Sequence, residues 1–168
     1  MKTLKTKHWI IAGSFAWLLA VFLIGPMHDH LGYAASSAAW SGNMQKLRLT
    51  RLMGVDIHKP VPGRGPLLVS AAWNGQEKVV AYLLAAGVDI ETKDKFGGTA
   101  LSRAAQEGHL ETVRLLISTS ANVNVQDLEG GNTPLDLCRM NYQRKGVDPE
   151  PIVALLTKAG GKAVTTRE

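Results

Sequence analysis

Ala38-Ala39-Trp40-Ser41-Gly42 recurs as Ala71-Ala72-Trp73-Asn74-Gly75 and again as Ala104-Ala105-Gln106-Glu107-Gly108, and the starts at 38, 71 and 104 define a period of 33 residues. In the same register, Gly54-Val55-Asp56-Ile57 recurs letter for letter as Gly87-Val88-Asp89-Ile90. Self-similarity at one fixed period is typical of stacked supersecondary units, none of which can bury its apolar face alone. The sequence therefore predicts a solenoid.

The third copy indicates the shape of the unit. Asp94-Lys95-Phe96-Gly97-Gly98 has the residue types of a tight turn, and Thr99 can accept hydrogen bonds from the free N–H groups of a first helical turn. Gly108 is placed to end this helix in the left-handed conformation. A second helix is predicted from about 110 to 119, because its apolar residues recur at three-and-four spacing. The unit is turn, helix, turn, helix, and the predicted fold class is all-α.

This pattern resembles the ankyrin repeat, whose signature is approximately D-x-x-G-x-T-P-L-H-x-A-A-x-x-G-H followed by a second helix. The third copy matches it at Asp94, Gly97, Thr99, Leu101, Ala104, Ala105, Gly108, His109, Leu116 and Ile117. The resemblance covers roughly residues 32–163 and implies four repeats, of which the first and last are degenerate. Atypical terminal repeats are expected in such stacks, because their outer faces meet water.

The copies also depart from the signature. The histidine expected after the first leucine is replaced by Val69, Ser102 and Asp136, which predicts a weaker hydrogen-bond network at the helix starts. Ser120 stands where a left-handed glycine is expected, at a cost on the order of 1 kcal/mol. Both departures predict that the C-terminal half is the less stable one.

A different kind of segment precedes the repeats. Met1 to Lys7 carries three lysines and no acid, and Trp9 to Ile24 has no charged residue before Gly25-Pro26. An uncleaved membrane anchor is favoured over a cleaved secretory signal, because no small-residue cleavage site follows the apolar run directly. A buried soluble helix is disfavoured by the lack of a polar face. The predicted organisation is a signal-anchor helix at 1–25, a linker at 26–31, ankyrin repeats at 32–163 and a tail at 164–168.

The charges before the apolar run predict its orientation. The positive-inside rule places the lysines in the cytoplasm and the repeats in the periplasm, so the predicted location is the bacterial inner membrane with a single pass. Secretion to the periplasm after signal cleavage is the alternative. A stripe of small residues in the anchor could also support helix pairing within the membrane. Its members are Ala12, Ala16 and Ala20.

Charge and motif content argue against several function classes. The net charge is +5, but three of the 19 basic residues precede Gly25 and none of the 14 acids do, which leaves 16 − 14 = +2 for the rest. No basic run interleaved with aromatic residues follows the predicted anchor, so nucleic-acid binding is not expected. His28-Asp29-His30 is interpreted as a polar linker rather than a metal site. His109 occupies the histidine slot of the signature, and Cys138 occupies a small-residue slot and is expected to be buried. We expect no enzyme, no cofactor, no metal and no small-molecule substrate.

What remains is recognition of another protein. The resemblance implies a concave surface formed by the inner helices and the projecting turns. The positions that it places there are Trp40, Trp73, Asn74, Lys95, Phe96, Gln106, Glu107, Leu128 and Glu129. Trp40, Trp73 and Phe96 in a groove would resemble a binding hot spot. Trp40 could instead cover the exposed end of the first repeat, and the insertion at 141–150 is a second candidate contact.

The sequence therefore predicts a membrane-tethered, exported scaffold that binds a protein through its concave face. An assembly or chaperone role in the bacterial envelope, linked to stress, is the first interpretation. An immunity-like protein that neutralises an exported toxin is the second. A structural membrane protein that acts through its transmembrane helix is the alternative from another class.

Overall fold

The computed structural model describes residues 30–145 and 148–164. The predicted anchor at 1–25 lies outside these ranges, as do most of the linker and the tail from residue 165. The described helices are α1 (30–41), α2 (Met44–Leu52), α3 (Leu67–Trp73), α4 (Glu77–Ala85), α5 (Ala100–Glu107), α6 (Leu110–Ser118), α7 (Pro134–Lys145) and α8 (Glu150–Lys158). The same ranges contain no strand beyond an isolated antiparallel bridge between Val61 and Gly65. The all-α class predicted from the repeats is confirmed for this part of the chain.

The helices form four pairs that stack in chain order. The inner helix α5 contacts α3 and α7, and the outer helix α6 contacts α4 and α8. The paired alanines of the repeat, such as Ala71-Ala72 and Ala104-Ala105, are at most 1% exposed, because their small side chains let neighbouring inner helices approach closely. One hydrophobic cluster runs from Ala35 in the first pair to Leu156 in the last.

The helix starts retain more of the hydrogen-bond network than the sequence predicted. Thr99 caps α5 in a capping box, in which its backbone N–H donates to the Ser102 hydroxyl over 2.7 Å. In the last repeat, the Thr133 hydroxyl donates to the Asp136 carboxylate over 2.6 Å. Serine and aspartate thus replace the histidine as polar partners of the threonine. The expectation of a weaker network is wrong for these two repeats and holds at α3, whose N-cap, Pro66, makes no side-chain hydrogen bond.

The insertion in the last repeat is partly helical. The insertion at 141–150, a second candidate contact in the sequence, overlaps two helices, because α7 continues to Lys145 and α8 starts at Glu150. The extra residues therefore lengthen the last inner helix. Among the described residues, no helix combines the length and apolar character required to cross a membrane.

Ser120 adopts the left-handed conformation predicted from its slot, with φ = 68°. It is the one non-glycine residue with positive φ among the described residues. Ser120→Gly is expected to raise the free energy of unfolding by about 0.5–1 kcal/mol, because relief of the left-handed strain exceeds the added freedom of the unfolded chain. Urea denaturation followed by circular dichroism measures the change.

Ser118→Gly is the matched control, because Ser118 is the exposed last residue of α6 and has helical geometry. Glycine there is expected to lower stability by about 0.5 kcal/mol. If both substitutions raised the free energy of unfolding, or both lowered it, the Ser120 effect would not have a conformational origin.

Candidate functional site

A pocket of about 470 Å³ lies where the first two inter-repeat loops project beyond the inner helices. We call these loops fingers: the first is Ile57–Pro66 and the second is Ile90–Thr99. Together with α1 and α3 they enclose what we call the aromatic groove. Its lining residues are Trp40, Pro60, Val61, Pro62, Gly63, Arg64, Gly65, Pro66, Val69, Ser70, Trp73, Lys93, Asp94, Lys95 and Phe96.

Three aromatic side chains line the groove. Trp40 is 51% exposed and Phe96 is 37% exposed, while Trp73 is half-buried. Large apolar side chains that remain accessible in a concave site are typical of protein-binding surfaces. The structure thus brings together Trp40, Trp73, Lys95 and Phe96 from the predicted set.

The two tryptophans are anchored through their backbones to the following repeat. The Gln76 side chain donates to the Trp40 carbonyl over 3.2 Å, and the His109 ring Nε2 lies 2.9 Å from the Trp73 carbonyl. Since a carbonyl can only accept, Nε2 carries the proton here. Gln76 and His109 are 33 residues apart, so the same kind of hydrogen bond joins the first repeat to the second and the second to the third. These two bonds hold the backbones of Trp40 and Trp73 at equivalent positions in successive repeats.

A buried ion pair supports the second finger. Arg103 Nε donates to Asp94 Oδ2 over 2.7 Å, and the two side chains are 4% and 13% exposed. Asp94 Oδ1 accepts from the backbone N–H groups of Phe96 and Gly98, each over 2.9 Å. The aspartate therefore fixes the turn that presents Phe96.

Arg103 also lies behind the aromatic surface. Its guanidinium carbon is 5.0 Å from the centroid of the Trp73 ring and 5.7 Å from that of Phe96. Nη1 donates to Gln106 over 2.8 Å, whereas buried Nη2 has no acceptor among the described residues. Arg103 was not among the site residues predicted from the sequence. The available signal was an arginine at a slot that Ser37 and Ser70 occupy in the preceding copies.

The third finger, residues 123–132, is fixed in a similar way by Asp127. Its Oδ1 accepts from the backbone N–H groups of Gly130 and Asn132, over 3.1 and 2.9 Å. Burial is the largest influence and raises the pKa of Asp127, but these hydrogen bonds outweigh it and hold the pKa below its ordinary value. The third finger joins the second where Leu128 N–H donates to the Phe96 carbonyl over 2.9 Å.

The other predicted positions do not line the groove. Asn74 donates to the Ser70 carbonyl within its own turn, and Gln106 accepts from Arg103. Glu107 is half-buried, whereas Leu128, at 78% exposure, and Glu129 project from the third finger.

Metal-ligating and nucleophilic side chains are sparse in the described part of the chain. No group of three His, Cys, Asp or Glu side chains there could hold a metal ion. The predicted polar linker at His28 and Asp29 lies outside the described residues. Cys138 is 4% exposed, which agrees with its small-residue slot. Burial raises the pKa of its thiol to about 11, and the charge of Arg139 partly opposes that shift.

The Cys138 thiol is expected to react far more slowly in the folded protein than in the unfolded chain. Burial blocks access and keeps the thiol protonated at pH 8. Labelling with a thiol-reactive disulfide reagent at pH 8, with and without 8 M urea, measures the ratio, which we expect to exceed roughly 100-fold. Because the unfolded thiol titrates at lower pH, the stabilisation from this protonated thiol is present below about pH 9 and lost as the pH rises toward 11. Similar labelling rates in both states would contradict the burial of Cys138.

Comparison with known proteins adds one finding. A family model described as "Ankyrin repeats (3 copies)" matches residues 68–164, which is more than half of the 168-residue chain and spans α3 to α8. The first helix pair precedes the matched range. No curated protein matches the chain.

Proposed function

This chain belongs to the ankyrin-repeat family, and from that premise we propose that it binds a protein partner through the aromatic groove. Ankyrin repeats are protein–protein interaction modules and are generally not enzymes. The observation that supports the groove as the site is the meeting of Trp40, Trp73 and Phe96 around a pocket of about 470 Å³. Tryptophan at the centre of an interface contributes more binding free energy than most other residues.

The anchoring of the groove supports the same proposal. The backbone of each tryptophan is hydrogen-bonded to the next repeat, and the Phe96 turn is fixed by Asp94. A backbone that is already held in place loses little conformational entropy on binding, so more of the contact energy is available for affinity. Aromatic residues on a fixed backbone are therefore better suited to recognition than the same residues on a mobile loop.

We further propose that the repeats are tethered to the bacterial inner membrane by a single pass and face the periplasm. The lysines at the N-terminus and the uncharged run from Trp9 to Ile24 support this location. Secretion after signal cleavage is the alternative. A tether would raise the local concentration of the repeats near membrane-bound partners, so a modest affinity would suffice. A reporter that is active only in the cytoplasm, fused after Glu168, is expected to be inactive, and activity would contradict this orientation.

Within this location, the preferred role is that of an assembly factor or chaperone in the envelope. Such a factor would change the yield or activity of its partner. An immunity-like role would instead require tight binding of one exported toxin and protection of cells from it. Growth with and without the captured partner separates these two roles.

The central experiment is a cross-linked pull-down of the tagged full-length protein from native membranes. Trp40→Ala/Trp73→Ala is expected to lose the partner that the wild type captures, because both indoles are removed from the groove. Leu49→Ala/Leu52→Ala is the matched control, since these α2 side chains are 56% and 85% exposed and do not line the groove. Circular dichroism verifies that both variants are folded. Capture of the partner by the tryptophan variant would contradict the groove, and a role through the transmembrane helix would then be favoured.

A further inference from the structure

The charged residues that line the aromatic groove are mostly basic. Arg64, Lys93 and Lys95 line it together with a single acid, Asp94. Asp94 is 13% exposed and already paired with Arg103. The charge that a ligand would meet in the groove is therefore positive, although the chain after the N-terminal segment is nearly balanced.

These three cations are not neutralised within the described residues. The ion pairs there join Lys59 to Asp56, Arg103 to Asp94 and Arg114 to Glu111, and none includes a cation at the groove edge. Instead, the Arg64 guanidinium carbon lies 4.0 Å from the centroid of the Tyr33 ring, and Lys95 Nζ lies 4.7 Å from that of Phe96. An aromatic face orients a cation without cancelling its charge. Both groups thus remain able to pair with an anion from outside.

The first finger lines one side of the groove and is rich in proline. Pro60, Pro62 and Pro66 restrict the backbone of this loop, and the Val61–Gly65 bridge closes it. Arg64 lines the pocket from this finger, and Lys93 and Lys95 line it from the second finger. The space between the fingers is therefore lined by three aromatic side chains, which we call the aromatic floor, and by three exposed basic side chains, which we call the basic rim.

We propose that the occupant of this groove is an acidic peptide segment of the partner, which inserts a large apolar side chain among Trp40, Trp73 and Phe96 and places flanking carboxylates against Arg64, Lys93 and Lys95. This inference rests on the proposed function and adds the chemistry of the partner. An apolar anchor complements the aromatic floor, and the pocket volume of about 470 Å³ lies within the range of roughly 300–1,000 Å³ that is typical of ligand pockets. The basic rim supplies charge complementarity, which gives specificity and speeds association.

Single-stranded nucleic acid also stacks on aromatic rings and pairs with cations, but it requires a basic track that follows the strand. Here the cations are confined to the ends of two fingers. The third finger carries Leu128 and Glu129 at the corresponding place, which interrupts the positive surface. The arrangement therefore favours a short acidic peptide.

Selection from a random twelve-residue peptide library, with the full-length protein held in detergent micelles, tests the inference directly. We expect the enriched sequences to carry two or more acidic residues around a Leu, Ile, Phe or Trp. Their affinity is expected to fall roughly 30-fold in Arg64→Glu/Lys93→Glu/Lys95→Glu and to weaken as salt is raised. The matched control is Lys46→Glu/Lys78→Glu/Lys158→Glu, which makes the same change in net charge at exposed positions outside the groove and is expected to retain binding.

Several results would overturn the inference. These are enrichment of neutral or basic peptides, absence of any enrichment, an equal loss in both triple variants, or tighter binding of a twelve-nucleotide oligo-dT than of the selected peptides. The pull-down separates this failure from failure of the proposed function. If the partner is lost from Trp40→Ala/Trp73→Ala but still bound by Arg64→Glu/Lys93→Glu/Lys95→Glu, the groove remains the binding site and the acidic-peptide inference is wrong. If both variants still bind the partner, the groove is not the binding site.

Discussion

Asp94→Ala is expected to lower the free energy of unfolding by about 3–5 kcal/mol, because it leaves the buried guanidinium of Arg103 without a counter-charge. Arg103 is 3% exposed, so water cannot replace the lost carboxylate without rearrangement of the second finger. The substitution also leaves the backbone N–H groups of Phe96 and Gly98 without their acceptor. Urea denaturation followed by far-ultraviolet circular dichroism measures the loss.

Asp56→Ala is the matched control for this prediction. Asp56 also pairs with a basic residue, Lys59, over 3.3 Å, but the two side chains are 44% and 80% exposed. Its removal is expected to leave the unfolding midpoint close to that of the wild type, since solvent screens such a pair. A loss at Asp94 no larger than the loss at Asp56 would show that burial adds nothing to the Arg103–Asp94 pair.

The double variant Asp94→Ala/Arg103→Met separates charge from geometry. Methionine removes the orphaned charge and keeps an unbranched apolar stem against Trp73 and Phe96. The double variant is therefore expected to be more stable than Asp94→Ala alone, by at least about 1 kcal/mol. If it is less stable, the stem and its polar contacts matter more than the unpaired charge.

The 33-residue period was sufficient to predict the helix pairs, and individual residues show why. Equivalent positions of a repeat occupy equivalent environments, so the alanine pairs that mark the period are buried in every copy. Gly108 and Ser120 were correctly placed at left-handed helix ends. These features depend on local backbone chemistry and on contacts with an adjacent copy of the same unit. A period carries both kinds of information.

The aromatic groove was only partly predictable, because it depends on what differs between copies. Trp40, Trp73 and Phe96 follow from the register, but Arg64 and the proline-rich first finger do not recur in the other repeats. Arg103 looks like one more polar residue in the sequence, yet packing buries it behind two aromatic rings. The distance from one finger to the next is a tertiary quantity, which the spacing of residues does not contain.

Gly75→Ala is expected to lower the free energy of unfolding by about 2–3 kcal/mol, through two separate effects. Gly75 has φ = 64°, where a Cβ atom costs about 1 kcal/mol or more. A Cβ atom there would also lie 2.5 Å from Nδ1 of His109, so the ring must move. That movement breaks its hydrogen bond to the Trp73 carbonyl, which contributes about 1 kcal/mol. Thermal unfolding followed by circular dichroism gives the comparison.

Gly131→Ala isolates the backbone part of this effect. Gly131 has a nearly identical φ of 68°, but a Cβ atom on it would meet nothing within 4 Å. Its loss is therefore expected to be the backbone cost alone, about half of that at Gly75. Equal losses at the two glycines would mean that the His109 contact carries no stability.

The first repeat contains an independent version of the same arrangement. Gly42 has φ = 75°, and a Cβ atom on it would collide with the Gln76 side chain, which donates to the Trp40 carbonyl. Glutamine and histidine thus make the same hydrogen bond in successive repeats. The free energy of unfolding of His109→Gln is therefore expected to stay within about 0.5 kcal/mol of the wild type. That of His109→Ala is expected to fall by about 1 kcal/mol or more. Because these bonds hold the backbones of Trp40 and Trp73, His109→Ala is also expected to weaken partner binding without removing any groove side chain. A variant that is destabilised but binds normally would show that the indoles need no anchoring from the next repeat.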